Sequence, residues 1–209
     1  MTLEILPIKT RPILPPKDDI FPVLDEYLPT GELKENDVLI ITSKVLAIHQ
    51  GRCVKMDTTK TPEEQREIKD KLIKQEAERY IGREHVPNNA VILTIKGNTL
   101  IPSAGIDESN ANGYYILWPS EPNQLAKEIC QHLKRKHGLR NLAVIITDSH
   151  TTPLRWGVQG ISIGFFGLEP LYDYRGKQDI FGRVLQITKK NIVDVLSVIG
   201  VSAMGEGSE

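Results

Sequence analysis

An uninterrupted apolar run at residues 142–146 constrains this chain more than any other stretch. The run, Leu-Ala-Val-Ile-Ile, is short, rich in β-branched residues and flanked by polar or charged residues, which predicts a buried β-strand. It stops abruptly, and Asp148, Ser149 and His150 follow. In open α/β sheets the functional residues lie beyond the carboxyl ends of the strands. We therefore predict an α/β sheet with Asp148 and its neighbours in a loop at its edge.

Asp148 and Ser149 place two oxygen ligands next to each other. Hard oxygen donors suit Mg²⁺ or Mn²⁺ better than zinc. The structural alternative is that Asp148 caps a turn, as Asp and Ser often do. From this stretch alone, a metal site and a turn are both consistent with the sequence.

A second polar cluster lies at residues 103–110, after a predicted β-hairpin, and contains Gly105, Asp107 and Asn110. Glycine allows a close approach of the backbone, and the polar side chains supply oxygen and amide groups. Asp107 and Asp148 each lie just beyond a predicted strand, so they could converge on one metal ion from separate elements. An acidic tight turn is the alternative.

Four further segments have both a structural interpretation and a ligand-binding one. The proline-rich loop at residues 11–16 is either a linker or a rigid pocket wall. Ser43 and Lys44 follow a predicted strand and either lie on the surface or contact phosphate oxygens, although no Gly-rich Walker sequence is present. The block at residues 172–183 forms either a carboxylate or phosphate clamp or a network of ion pairs. The Gly-rich tail from residue 204 is either a frayed end or a turn around a phosphate.

The remaining patterns predict the elements around these segments. Thr61, Pro62 and Glu64 form a capping-box signature at the start of a charge-rich helix, which we expect to be largely solvated. Apolar periodicity and turn residues predict the others. Strands are predicted at residues 3–8, 38–41, 91–95, 99–101 and 114–118, a closely packed apolar segment at 158–166, and helices at 20–28, 61–80, 120–137 and 191–203.

The composition excludes several classes of protein. With 209 residues, 40% hydrophobic and 25% charged residues, and a net charge of -1, the chain is typical of a soluble globular domain and lacks the basic excess of a nucleic-acid-binding protein. Cys53 and Cys130 are the only cysteines and lack metal-site spacing, which favours free thiols in a reducing cytoplasm. The N-terminal segment has an acidic residue and no long apolar region, so neither a secretory signal nor a membrane span is expected.

Several of these motifs occur together in a specific order. They are Ala-Gly-Ile-Asp-Glu-Ser-Asn at residues 104–110, Thr-Asp-Ser at 147–149, the pair Arg155 and Gly157, Asp-Tyr-Arg-Gly-Lys-Gln-Asp-Ile-Phe-Gly-Arg at 173–183, and Met-Gly-Glu-Gly at 204–207. The ordered set resembles the coenzyme F-420:L-glutamate ligase family, whose members add γ-linked glutamate to a deazaflavin phospholactate precursor. Each motif is weak alone, but the resemblance runs over essentially the whole chain.

The resemblance implies an α/β γ-glutamyl ligase-like fold with a mixed α+β sheet, in which residues 1–209 form a single domain of an intertwined homodimer. It also implies that GTP or ATP, with two Mg²⁺ or Mn²⁺ ions, drives amide formation between L-glutamate and a small carboxylate acceptor through an acyl phosphate. The implied site residues are Asp107, Asp148, Ser149 and Glu206 for the metal ions; Arg11, Pro12, Ile13, Leu14, Ser43, Lys44, Asn110, Met204, Gly205 and Gly207 for the nucleotide; and Arg155, Arg175 and Arg183 as catalytic residues that hold anionic substrate groups.

Three departures from the family pattern bear on the acceptor and on the end of the chain. Thr151 and Thr152 replace a usual Gly-Arg, and Ala47 and Ile48 replace a usual Ser-Lys, so two cationic contacts with an anionic substrate or nucleotide are missing. Related chains continue past the Gly-rich tail into a further strand, so this chain is expected to lack the C-terminal end of the family. The acceptor is left open between a deazaflavin-like and a folate-like carboxylate.

The competing hypothesis is a catalytically idle homologue that binds nucleotide or a glutamylated ligand as a sensor. A pure binding protein has no need to hold several carboxylates together against their mutual repulsion. The presence of Asp107, Asp148 and Glu206 therefore favours the ligase.

Overall fold

The computed structural model describes residues 3–207, which form a mixed α/β fold with small β-sheets and helices packed around them. The predicted mixture of helices and parallel and antiparallel strands is confirmed. The helices are α1 (Ile20–Tyr27), α2 (Ser43–His49), α3 (Pro62–Glu76), α4 (Pro122–His137) and α5 (Ile192–Met204). The strands are β1 (Asp37–Thr42), β2 (Cys53–Lys55), β3 (Arg79–Ile81), β4 (Leu93–Lys96), β5 (Thr99–Pro102), β6 (Tyr114–Ile116), β7 (Leu142–Thr151), β8 (Val158–Phe166), β9 (Leu171–Asp173) and β10 (Lys189–Asn191).

The central sheet has the order β1-β7-β8 and is mixed, because β1 runs parallel to β7 and β8 runs antiparallel to it. The predicted strand at residues 142–146 forms the middle of this sheet. Its Val144 and Ile146 are fully buried against the apolar face of α4, which includes Ile129 and Leu133. Burial of each such side chain contributes roughly 1.5–3 kcal/mol. The apolar run therefore anchors the sheet to its largest helix.

The predicted loop at Asp148, Ser149 and His150 is wrong, because β7 continues through all three residues to Thr151. Asp148 lies opposite Ile161 and Ser149 lies opposite Gly160 on the antiparallel strand β8. The change from apolar to polar side chains did not end the strand, since β8 continues to satisfy the backbone hydrogen bonds. The polar residues of β7 are consequently held on a rigid strand.

Strand β8 brings helices close to both faces of the sheet through small residues. A Cβ atom at Gly160 would lie 2.3 Å from the backbone oxygen of Ser197 in α5, and one at Gly164 would lie 2.7 Å from Pro122 in α4. The two glycines face helices on opposite sides of the sheet because β8 has one more residue than β7 between them. Ile146 pairs with Gly164 and the next residue of β7 pairs with residue 162, so Ile163 has no partner on β7. This is a β-bulge, which shifts the alternation of faces by one residue. The predicted close packing of residues 158–166 is confirmed.

Two other predicted elements are corrected. Residues 3–8 are not assigned to a strand. The helix predicted at residues 61–80 ends at Glu76, because Arg79–Ile81 instead forms β3, which pairs with β4. The β4–β5 hairpin is confirmed. Tertiary pairing of β3 overrides the helical propensity of the preceding charged residues.

Helix α4 begins differently from the prediction and ends as predicted. Its N-cap is Glu121, in the left-handed region, while the Ser120 hydroxyl donates to the side-chain oxygen of Gln50. Gly138 ends the helix at a φ of 68°, a conformation that favours glycine. No helix within residues 3–207 is long and apolar enough to cross a lipid bilayer.

The β9–β10 hairpin carries apolar side chains outward. Its two strands pair antiparallel, and between them Ile180, Phe181 and Ile187 are 92%, 89% and 87% exposed. Clustered exposed apolar side chains commonly mark an interaction surface.

Replacing Thr61 with Ala is expected to destabilise the protein by about 1 kcal/mol. The Thr61 hydroxyl accepts a hydrogen bond from the Glu64 backbone N–H, and the Glu64 carboxylate accepts one from the Thr61 N–H, which completes the predicted capping box. Alanine removes the first bond and leaves a helix donor without its partner. Urea denaturation measures the loss. Thr61→Ser keeps the hydroxyl and should retain most of the stability; equal losses in both variants would contradict the capping role.

Candidate functional site

Four separate segments of the chain meet around Asp148 and Ser149, which are successive residues of β7. They are the start of α2 with Ser43 and Lys44, the loop of residues 107–110, strand β7, and the tail that follows α5. The Lys44 ammonium lies 2.7 Å from the Asp107 carboxylate and donates to the Ser109 carbonyl at 2.7 Å. Asp107 and Asp148 are close enough for the charge of Asp107 to raise the pKa of Asp148. The structure thus brings together residues that lie up to about 160 positions apart in sequence.

Asp107 is held as a carboxylate by its surroundings. Burial alone would raise its pKa, but hydrogen bonds from Lys44 and Ser109 outweigh burial and lower the pKa below its ordinary value. One of its oxygens accepts from the Ser109 backbone N–H at 2.8 Å, and both accept from the Ser109 hydroxyl. Asp107 also pairs through its backbone with Ile116, so its position is defined by β6 rather than by a free loop.

Asp148 has the opposite electrostatic character. Burial raises its pKa to about 6, against hydrogen bonds from Trp118 and Ser43 that lower it. The Trp118 indole N–H donates to Oδ2 of Asp148 at 2.5 Å. A carboxylate in this environment is costly to ionise, and a nearby positive charge would relieve that cost.

Trp118 is a site residue that the sequence analysis missed. It is 5% exposed, and its indole nitrogen would lie 2.1 Å from a Cβ atom placed at Gly105. Gly105 also has a φ of +70°, which favours glycine. The conformation of the 103–105 turn therefore leaves the space in which the indole reaches Asp148. The sequence predicted that another group packs closely against the backbone of Gly105, but it did not identify that group as Trp118.

Ser149 faces a different neighbour. Successive side chains of a strand point to opposite faces, and Ser149 lies opposite Gly160, which packs against α5. The Ser149 hydroxyl accordingly donates to the Glu206 carboxylate at 3.3 Å. Asn110 donates through its side-chain amide to the carbonyl of Gly207 at 3.2 Å. The tail after α5 is thus connected to both β7 and the 107–110 loop.

The predicted metal ligands form two pairs, Asp107 with Asp148 and Ser149 with Glu206. No group of three or more His, Cys, Asp or Glu side chains within residues 3–207 has a spacing that could hold a metal ion. Both pairs consist of oxygen donors, the ligand type of Mg²⁺ and Mn²⁺. The half-buried, mutually repelling carboxylates of the first pair are oxygen donors whose charge a divalent cation would offset. By donor type, the residues fit these cations.

The proline-rich loop surrounds an open surface cavity, and its role as the wall of a ligand pocket stays a prediction. An open cavity of about 570 Å³ is lined by Arg11, Pro12, Leu14, Lys17 and Asp18. The Arg11 guanidinium donates to both oxygens of Asp18, at 2.5 and 2.9 Å. Burial and this partner act in opposite directions on the pKa of Asp18, and the Arg11 hydrogen bond dominates and lowers it to about 2. Ile13 packs instead against the apolar core.

Within residues 3–207, no hydrogen bond or salt bridge joins the three predicted catalytic arginines to Asp107 or Asp148. Arg175 forms a salt bridge of 2.6 Å with Asp173 inside the β9–β10 hairpin, which matches the ion-pair interpretation of that block. Arg155 and Arg183 are exposed. No contact within residues 3–207 joins any of the three to Asp148, and their catalytic roles stay predictions.

Comparisons with known proteins agree with the resemblance seen in the motifs. The sequence model of the family described as F420-0:Gamma-glutamyl ligase matches residues 8–209. The Coenzyme F420:L-glutamate ligase of Methanopyrus kandleri is 32% identical over 220 aligned positions, which cover 100% of this chain and 84% of that protein. The proteins of the same name from Methanosarcina mazei and Methanothermobacter thermautotrophicus are 30% and 27% identical, with 100% of this chain and 83% and 86% of those proteins covered. The chain therefore belongs to the F420-0:gamma-glutamyl ligase family.

Proposed function

We propose that this protein is a nucleotide- and metal-dependent ligase that forms a γ-glutamyl amide bond between L-glutamate and a carboxylate acceptor. The observation that carries the proposal is the convergence of Lys44, Asp107, Asp148 and Glu206, from four separate segments, on one region of the fold. Relatives that match the whole chain are named Coenzyme F420:L-glutamate ligase. Family membership supports the reaction class, and the convergence supports a working site.

Mg²⁺ or Mn²⁺ would be held by the two pairs of oxygen donors, Asp107 with Asp148 and Ser149 with Glu206. When bound, such ions neutralise phosphate charge that develops during phosphoryl transfer. Because these oxygen donors form two separate pairs, we propose that the protein binds two divalent cations, one at each pair. Lys44 lies beside Asp107 with its side chain 22% exposed, where its ammonium is able to contact a phosphate as well as the carboxylate.

The reaction that fits these groups has two steps. An oxygen of the acceptor carboxylate bonds to the terminal phosphorus of GTP or ATP as the bond to the nucleoside diphosphate breaks, which forms an acyl phosphate. The deprotonated amine of L-glutamate then attacks the acyl carbon, inorganic phosphate leaves, and the nitrogen loses its remaining extra proton. The protein mainly supplies position and electrostatic stabilisation in such reactions.

The family resemblance assigns the nucleotide and the substrates to further residues beyond this cluster. The proline-rich loop with its cavity, Ser43, Lys44, Asn110 and the tail from Met204 to Gly207 would contact the nucleotide, and Arg155, Arg175 and Arg183 would hold anionic substrate groups. The acceptor is a deazaflavin-like carboxylate, which the family resemblance implies, or a folate-like one. The exposed apolar hairpin supports a homodimer, because Ile180 and Phe181 would be buried by a second copy of the chain.

We expect GTP or ATP to raise the midpoint of thermal unfolding only when Mn²⁺ is also present. Binding to the native state alone adds about 2.7 kcal/mol at a ligand concentration of 100 Kd. For a chain of this size, that corresponds to a rise of about 5–10 °C. The measurement is differential scanning fluorimetry with each nucleotide, with and without Mn²⁺, and with EDTA as the control. Absence of a shift with both nucleotides would contradict the proposal and favour an idle homologue.

A further inference from the structure

Trp118 makes an unusual contact for a buried tryptophan. Its indole N–H reaches Oδ2 of Asp148 at 2.5 Å, across a gap that only a glycine at position 105 leaves open. An indole nitrogen donates one hydrogen bond and accepts none. It therefore occupies one lone pair of Oδ2 and orients the carboxylate without adding a charge beside it.

The indole is itself held by a network of charged residues. The Arg52 guanidinium donates to the Trp118 carbonyl at 2.5 Å and to Glu76 at 2.6 Å. Lys96 donates to the same Glu76 oxygen at 2.5 Å, and its ammonium lies 5.9 Å from the centre of the Trp118 rings. Trp118 is thus fixed both through its backbone and over its ring. Its donor is directed at one point and has little freedom to move.

The chemistry of this donor suits a cation site. A lysine or arginine in the same place would also donate to Asp148, but it would add a second positive charge to a site that already contains Lys44. The neutral indole fixes the carboxylate and leaves its negative charge available. The two carboxylates therefore differ in their partners. Asp107 pairs with the positively charged Lys44, whereas Asp148 accepts a hydrogen bond from the neutral Trp118 indole.

We propose that Trp118 is a positioning residue that orients the Asp148 carboxylate for a divalent cation through its indole N–H. The inference rests on the proposed function, since it requires Asp148 to bind a cation. Hydrogen-bond partners of metal ligands commonly contribute 10–100-fold to metal affinity. Loss of the N–H should therefore weaken cation binding by about 10–100-fold while the fold is retained.

The chain contains a matched control, because it has two tryptophans and Trp156 is 104% exposed. Trp118→Phe keeps an aromatic ring and removes the N–H, while Trp156→Phe makes the same chemical change at the surface. Mn²⁺ binding is measured by electron paramagnetic resonance of free Mn²⁺, with GTP or ATP present, on the full-length proteins. We expect the dissociation constant for Mn²⁺ to rise about 10–100-fold in W118F and to stay unchanged in W156F. In turnover assays, added Mn²⁺ should restore much of the kcat of W118F.

The outcomes separate the two proposals. If W118F and W156F bind Mn²⁺ equally well, the role of Trp118 is overturned and the proposed ligase stands. If the unmodified protein binds no Mn²⁺ with either nucleotide, both are overturned. Should W118F fail to fold, the W156F protein provides a second test, because Trp118 is then its only tryptophan. Mn²⁺ bound at Asp148 must quench Trp118 fluorescence, and fluorescence unchanged at saturating Mn²⁺ would overturn the proposal.

Discussion

Replacing Asp148 with Asn is expected to abolish ligase turnover and, at the same time, to stabilise the metal-free protein at neutral pH. An amide is a poor ligand for Mg²⁺ or Mn²⁺ and carries no charge to balance theirs. Loss of several kcal/mol of transition-state stabilisation corresponds to a decrease in turnover of about 10³-fold or more. The stability gain arises because burial makes the charged form of Asp148 unfavourable in the native protein, and asparagine has no charge to bury.

The sign of the stability effect follows from the pKa of Asp148. Burial raises that pKa from 3.8 to about 6. Between these values the native protein still holds a proton that the unfolded chain has lost, so the free energy of unfolding falls as the pH rises through this window. At pH 7 the penalty is complete and amounts to about 3 kcal/mol, from roughly two pK units at 1.36 kcal/mol each. The uncharged amide of the D148N variant would carry no such penalty, whereas both proteins should be similar in stability near pH 4.

Urea denaturation at pH 4 and pH 7, together with a glutamate-incorporation assay, tests both effects. Asp57→Asn is the matched control, because Asp57 accepts hydrogen bonds from Thr59 in an exposed turn and its pKa is lowered. That variant should keep its activity and gain no stability at pH 7. Turnover of D148N within tenfold of the unmodified protein would contradict the assignment of Asp148 as a metal ligand.

Replacing Gly160 with Ala is expected to destabilise the protein by about 1–3 kcal/mol and to lower turnover as well. The new methyl group would lie 2.3 Å from the Ser197 carbonyl and 2.9 Å from Val201, so α5 must move away from β8. The same helix leads into Glu206, whose carboxylate meets Ser149. A displaced α5 would therefore carry Glu206 out of the site.

The control for this variant is Gly82→Ala, which should be almost neutral. There the added methyl group would meet only the carboxylate end of the flexible, exposed Glu84 side chain, which is free to rotate away. Chemical denaturation and the turnover assay are applied to both variants. A stability loss below 1 kcal/mol in G160A would show that α5 packs less closely on β8 than the structure indicates.

Sequence patterns correctly predicted those secondary-structure elements that depend on interactions between residues close in sequence. The apolar run at residues 142–146, the capping box at Thr61 and the glycine after α4 each specify an element through contacts within a few residues. Boundaries were wrong where a distant strand supplied the missing hydrogen bonds. The extension of β7 through Asp148 depends on pairing with β8, and the end of α3 depends on the pairing of β3 with β4.

The sequence predicted candidate site residues but not how they are arranged in space. The ordered motifs predicted Asp107, Asp148 and Glu206, and in the structure Lys44 pairs with Asp107 while Ser149 pairs with Glu206. Nothing local distinguished Trp118 from an ordinary core tryptophan, because its partner lies 30 residues away in the sequence. Only the turn at Gly105 hinted at a close approach, and a turn does not reveal which side chain fills the space.

The position of Asp148 on β7 has a consequence for its response to salt. Val144, Ile146 and Asp148 occupy alternate positions on one strand, and the first two are fully buried, so the carboxylate forms the end of an apolar column. The medium behind it has a low dielectric constant, and dissolved ions can screen its charge only from the open side. Attraction between Asp148 and a cation should therefore weaken less with ionic strength than attraction at a surface aspartate such as Asp57.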